Sequence, residues 1–127
     1  MQTINVLRWI AVVAGAVACG LLTRTLMIST YRHFGMDDPV LLAPAGIVSV
    51  FAACYVGAWI APSRKARTGA VLAIVVGVAH APEAWTMAVA LLRSGTVEWP
   101  VFAEAAGRLA GSLFVLGAVR RGAFPSG

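Results

Sequence analysis

The sequence predicts an all-α protein, an integral membrane four-helix bundle with short loops and antiparallel neighbouring helices. Hydrophobic residues make up 60% of the 127 positions and charged residues only 12%, whereas soluble domains carry about 25% charged residues. The mean hydropathy is +0.85. Four apolar segments are separated by turn residues, and each can cross a hydrocarbon core of about 30 Å as a helix. We therefore expect a single four-span transmembrane domain over residues 1–127.

The first helix is expected over about residues 4–31. Its beginning has features of a secretory or lipoprotein leader, since Arg8 precedes an apolar run and small residues precede Cys19. The apolar character continues beyond Cys19, so we interpret the segment as an uncleaved span. Its outer third contains several Thr and Ser residues around Arg24, and we expect this part to face protein rather than lipid.

Turn residues separate the other three predicted helices from one another and from the first. The second helix is expected over about 40–61, after the turn "FGMDDPV", with Pro39 near its first turn. The third, over about 69–92, follows the basic hairpin "APSRKARTG". The fourth, over about 100–119, begins at Pro100 after "RSGTVEWP". The connections are short, which predicts antiparallel neighbours.

Lys and Arg residues are distributed unevenly between the two sides that these spans define. One side has Arg8, the basic hairpin, Arg120 and Arg121, whereas the other has Arg32 and Arg93 offset by acidic residues. The positive-inside rule then predicts cytoplasmic N- and C-termini in a bacterial inner membrane. The net charge of +5 comes from residues dispersed at segment ends, so we expect no nucleic-acid partner.

Small residues recur every four positions in the third and fourth segments. Gly69 and Gly77 belong to such a stripe in the third, and Gly107 and Gly111 form a GxxxG motif in the fourth. This spacing lets helix backbones approach closely. We expect these four glycines at helix contacts, either within the chain or between chains.

Five ionisable side chains fall within the predicted spans and away from their ends. Counted at 1.5 Å per residue, they lie about 6 to 13 Å below the outer boundary of the hydrocarbon core. They are Arg24, His80, Glu83, Glu104 and Arg108. A charge in the membrane costs on the order of 3 kcal/mol or more unless it is paired or hydrated. We therefore expect one polar cluster in the outer half of the bundle, with His80 and Glu83 facing the interior opposite an arginine.

The predicted cluster has three interpretations. Its members could be ion pairs that fix helix register, a pocket or a proton or ion pathway, or a site of pairing with a partner subunit. For His80 alone, a satisfied structural histidine is favoured. Pro82 lies between His80 and Glu83 and removes one helical hydrogen bond, which predicts a kink in the third helix.

The sequence shows no pattern typical of catalysis or of a cofactor site. Cys19 and Cys54 form no CxxC or metal-ligand spacing. His33 and His80 differ by about two helical turns in depth, which disfavours bis-histidine haem ligation. We expect no enzymatic activity, cofactor or metal.

The favoured functional hypothesis is a non-enzymatic accessory or assembly subunit of a membrane complex. The alternative is a small oligomeric transporter or channel that passes a proton, ion or small polar solute through the outer-half cluster. The expected partners are the lipid bilayer and either another membrane protein or further copies of this chain.

Overall fold

The structure is a computed structural model that describes residues 2–125. Its long elements are four helices. They are α1 (Gln2–His33), α2 (Leu42–Ile60), α3 (Lys65–Ser94) and α4 (Trp99–Arg120). Each is long and apolar enough to cross a membrane. The predicted all-α, four-helix fold class is confirmed, and the length and composition of the helices indicate a membrane protein.

The largest difference from the predicted boundaries is at the start of α3. The helix begins at Lys65, four residues before the predicted start, because Lys and Arg are good helix formers and extend the apolar helix into the connection. Arg64 precedes it with a left-handed backbone, φ 50°. The Lys65 ammonium donates a hydrogen bond to the Trp59 carbonyl at 3.0 Å, which fixes the turn between α2 and α3.

The start of α2 also differs from the prediction. Pro39 begins a separate 3₁₀ turn, Pro39–Leu41, and the α-helix starts at Leu42. The Asp38 carboxylate accepts a hydrogen bond from the Val40 amide at 3.0 Å and so caps the turn. A short polar side chain before Pro stabilises such a turn because it satisfies an otherwise free amide.

Helices that follow each other in sequence run antiparallel, and α1 stands apart from α3 and α4. Gly20 of α1 lies against Ala53, whereas Gly15, further toward the N-terminus, lies against Ile60 of α2. Within residues 2–125 the backbone of α1 comes close only to α2, while α2, α3 and α4 pack against one another. The protein is therefore a three-helix body with α1 attached through α2.

The crossing of α2 and α4 depends on glycine. A Cβ at Gly107 would lie 2.7 Å from the Ala43 Cα, and a Cβ at Gly111 would lie 3.0 Å from the Ile47 Cα. These distances leave no space for a side chain, so the two backbones approach as small-residue motifs allow. Gly107 and Gly111 therefore lie at a helix contact, and this contact is within the chain.

The two predicted glycines of α3 have different surroundings. A Cβ at Gly69 would lie 2.6 Å from the Phe124 ring, whereas a Cβ at Gly77 would lie 3.6 Å from the Ser112 Cβ, an ordinary van der Waals distance. Both glycines lie next to other parts of the chain. Only Gly69 excludes a larger residue through a close contact.

Phe124 returns from the end of α4 into the core. The Gly122 amide donates to the Val119 carbonyl at 3.1 Å and the Ala123 amide to the Ala118 carbonyl at 2.9 Å, the two bonds of a Schellman cap. Gly122 has φ 76°, a conformation that glycine adopts without strain. The cap reverses the chain and buries Phe124 among core residues of α2, α3 and α4.

Candidate functional site

The Glu104 carboxylate is the centre of a polar cluster that joins three helices. Its Oε1 atom accepts a hydrogen bond from Arg24 Nε of α1 at 2.5 Å and from Arg108 Nη2 of α4 at 2.9 Å. Arg108 Nη1 contacts His80 Nε2 of α3 at 2.6 Å. We call these four residues the four-residue cluster. It corresponds to four of the five positions that the sequence predicts.

The neighbours of His80 determine its tautomer. Nδ1 lies 2.8 Å from the Val76 carbonyl oxygen, which can only accept, so Nδ1 carries a proton and donates it. Nε2 faces Arg108, which can only donate, so Nε2 accepts. The imidazole is therefore neutral in this arrangement. Two guanidinium groups and one carboxylate leave the four-residue cluster with one positive charge.

The spacing of residues on α4 explains how the cluster forms. Glu104 and Arg108 are four residues apart on one helix face and form an i,i+4 ion pair. Arg24 belongs to a helix whose backbone does not approach α4, so its long side chain bridges the separation. All three charged side chains are partly accessible, with exposed fractions from 22% to 33%.

Glu83 lies outside the cluster, and the expectation that it faces the bundle interior is wrong. Its side chain is exposed and makes no hydrogen bond or ion pair with the described residues. Three residues advance a helix by about 300°, which leaves Glu83 about 60° around α3 from His80. Among the described elements, the backbone of α3 comes close only to those of α2 and α4, and the exposure of Glu83 places it off this packed face.

An apolar cavity of about 320 Å³ lies between α1 and α3, because the backbones of these helices do not meet. Small residues of α2, among them Ala53 and Cys54, form part of its wall. At one end it is lined by three members of the four-residue cluster, Arg24, His80 and Arg108, but not by Glu104. The cavity thus has a long apolar part and a basic polar end.

The sequence pattern does not predict the cavity or the residues that line it. The α1 residues that pack toward α2 are Val12, Ala16 and Gly20, spaced four apart; the first two are buried and Gly20 is half-buried. This spacing of small residues predicts a contact with one neighbour. It does not predict that the backbone of α1 stays away from α3 and α4. The cavity exists because α1 and α3 are not in close contact.

The site offers fixed charges and hydrogen-bond donors rather than reactive groups. Within residues 2–125, no three His, Cys, Asp or Glu side chains converge as metal ligands would. The partly exposed arginines can bind an anion through charge-assisted hydrogen bonds. Comparison with protein families, with characterised proteins and with solved structures yields no match to this chain.

Proposed function

We propose that this chain is a non-enzymatic accessory or assembly subunit of a membrane complex, and that α3 docks against a transmembrane helix of another polypeptide. The proposal depends on one observation: Glu83 is exposed on a helix with the length and apolarity of a membrane span. A charge facing lipid at this depth costs on the order of 3 kcal/mol. A partner helix with Lys or Arg at the same depth removes that cost.

The residues around Glu83 also favour a protein neighbour. Ala79, Pro82, Glu83 and Thr86 have i, i+3, i+4 and i+7 spacing and therefore share one face of α3. All four are exposed. We call them the docking face. Its side chains are small or polar, as at contacts between membrane helices, where close approach and hydrogen bonding replace the hydrophobic effect.

The proposed orientation places both termini in the cytoplasm of a bacterial cell. The basic residues Lys65 and Arg67 begin α3, and Arg120 ends α4. Since α3 and α4 are antiparallel, these residues lie at the same end of the bundle. The excess of basic residues at that end supports a cytoplasmic location under the positive-inside rule.

The experiment compares Glu83→Gln with Glu98→Gln, an exposed glutamate before α4. Each protein is produced at native level, purified in mild detergent and analysed by native mass spectrometry. Wild type and Glu98→Gln should carry a second membrane protein in fixed stoichiometry. The amount of this partner that is bound to Glu83→Gln should be at least about tenfold lower, because an interfacial ion pair cannot form without the carboxylate.

A photo-crosslinking residue locates the contact. Placed at Thr86 on the docking face, it should join this chain to a transmembrane segment of the partner that contains Lys or Arg. Placed at Leu113, which is exposed on α4, it should not. Retention of the partner by Glu83→Gln, or equal crosslinking from both positions, would contradict the proposal.

The carrier or channel hypothesis is the second candidate, and the apolar cavity with its basic end favours it. Glu83 does not line this cavity, so a carrier would act through Arg24, His80 and Arg108. Recovery of a homo-oligomer or a monomer alone in the native mass spectrum would contradict the accessory function and support this candidate. Solute uptake by reconstituted protein, and its loss in Arg108→Gln, would then be the decisive measurements.

A further inference from the structure

The basic end of the cavity has donors that the four-residue cluster does not use. Arg24 bonds Glu104 through Nε, and its two terminal nitrogens make no hydrogen bond with residues 2–125. Each guanidinium has five N–H donors. Arg24 and Arg108 line the cavity, whereas Glu104, which neutralises one of their two charges, does not.

The rest of the cavity is apolar and elongated. Its α1 wall extends from Arg24 to Val13, and eleven residues of helix measure about 16 Å. This is about half of a 30 Å hydrocarbon core, the length that the acyl chain of one leaflet covers. The volume of about 320 Å³ lies at the lower end for small-molecule sites, which suits one chain rather than two.

The long side of the cavity opens toward the surface that lipid would cover. Val17, Leu21 and Val75 line it, and all three side chains are more than half exposed. An apolar chain could therefore enter sideways from the bilayer. Its head group would not have to cross the core of the protein.

We infer that this cavity binds a single-chain amphiphile whose anionic head group, a carboxylate or a phosphate monoester, contacts Arg24 and Arg108. The head group neutralises the single positive charge of the four-residue cluster and takes up the unused arginine donors. The chain covers the apolar walls contributed by α1 and α3. The site is separate from the docking face, so it does not depend on the proposed function.

The first test varies the head group at constant chain length. Wild-type protein, stripped of lipid in an uncharged detergent, is titrated with dodecanoate, dodecyl phosphate, dodecan-1-ol and acetate. Binding is measured by native mass spectrometry and by the shift in Tm. One dodecanoate or dodecyl phosphate should bind per chain, at least about tenfold more tightly than dodecan-1-ol, since only the anions form charge-assisted bonds. Acetate, which lacks the chain, should not compete at the same concentration.

The second test fills the cavity. Val17→Phe puts a larger side chain on the cavity wall, whereas Val6→Phe puts the same side chain elsewhere on α1. Both valines are 56% exposed, and Val6 does not line the cavity. Val17→Phe should weaken dodecanoate binding by at least about tenfold because it occupies space that the chain needs. Val6→Phe should bind as wild type does.

Three results would overturn the inference. Equal affinity for dodecan-1-ol and dodecanoate would remove the role of the arginines. Displacement of dodecanoate by acetate would show an anion site without a chain site. Unchanged binding by Val17→Phe would place the amphiphile elsewhere, and the comparison of head groups on wild-type protein remains decisive if that variant does not fold.

Discussion

The guanidinium of Arg24 on α1 and the carboxylate of Glu104 on α4 form an ion pair, with Nε 2.5 Å from Oε1, although the backbones of the two helices do not come together. This pair connects α1 directly to α4, in addition to the packing of α1 against α2. The same Oε1 atom also bonds Arg108. Loss of Glu104 therefore leaves two arginines without their counter-charge.

We predict that Arg24 and Glu104 are energetically coupled. Glu104→Gln should lower the free energy of unfolding by about 1 to 3 kcal/mol, the cost of leaving hydrogen-bonded charged groups unsatisfied. Arg24→Gln should cost less in a protein that already has Glu104→Gln, with a coupling energy of about 1 kcal/mol. The measurement is a double-mutant cycle of unfolding in mixed detergent micelles.

The control for this cycle pairs Arg24→Gln with Glu83→Gln. The exposed Glu83 makes no contact with Arg24, so their effects should add within about 0.5 kcal/mol. Additive effects of Arg24→Gln and Glu104→Gln would show that the ion pair does not contribute to stability.

We predict opposite tolerance to alanine at two glycines. Gly107→Ala should destabilise the protein by about 1 to 3 kcal/mol, because the new Cβ meets the Ala43 backbone and the helices must separate. Gly77→Ala should be neutral or stabilising by up to about 1 kcal/mol, since a Cβ there lies 3.6 Å from Ser112 and alanine favours helix. Thermal unfolding in detergent checks both, and equal Tm values would contradict the α2–α4 crossing.

Phe124 is predicted to stabilise the end of the bundle at which α4 ends. It is 5% exposed, and its ring lies edge-on to the rings of Phe51 and Tyr55. Phe124→Ala should cost about 3 to 5 kcal/mol, as for other buried phenylalanines. The control is Phe114→Ala, which removes a side chain that is 62% exposed and should change stability by less than about 0.5 kcal/mol.

The proposed orientation predicts opposite labelling of two connections. In a protein whose Cys19 and Cys54 are replaced by alanine, Thr96→Cys should react with a membrane-impermeant maleimide in intact cells. Ser63→Cys should react only after permeabilisation. Both positions are exposed, so access to the reagent depends on the side of the membrane. The reverse pattern would overturn the orientation derived from basic residues.

The sequence predicts the helices well because each must satisfy its own backbone hydrogen bonds and bury an apolar surface in lipid, and both requirements are local. The charged residues are predicted less well. Glu104 has the opposite charge to Arg24 and Arg108 and a similar predicted depth, and it forms ion pairs with both. Glu83 satisfies the same criteria but lies on the exposed side of α3, since depth and charge do not determine which face of a helix is packed. That face depends on the number of neighbours, and α3 has only two.

The burial of Phe124 was also not predicted. Arg120 and Arg121 predict a charged, exposed tail. They give no indication that the chain turns back and that Phe124, three residues later, packs into the core. Gly122 is the feature that could have revealed it, because a glycine just after a basic last turn is typical of a Schellman cap. Such a cap is often followed by an apolar residue that packs back on the helix.

From the backbone attachment of α1 through α2 alone, we expect two cooperative units of unequal stability. Within residues 2–125, helices α2, α3 and α4 share three mutual interfaces, whereas α1 has one backbone interface and one ion pair. A unit with fewer contacts opens at a lower free energy than the global transition. Amide hydrogens of α1 should therefore exchange ahead of those near the α2–α4 crossing. Detachment of α1, rather than rearrangement of the other three helices, would then be the slow motion that widens the cavity.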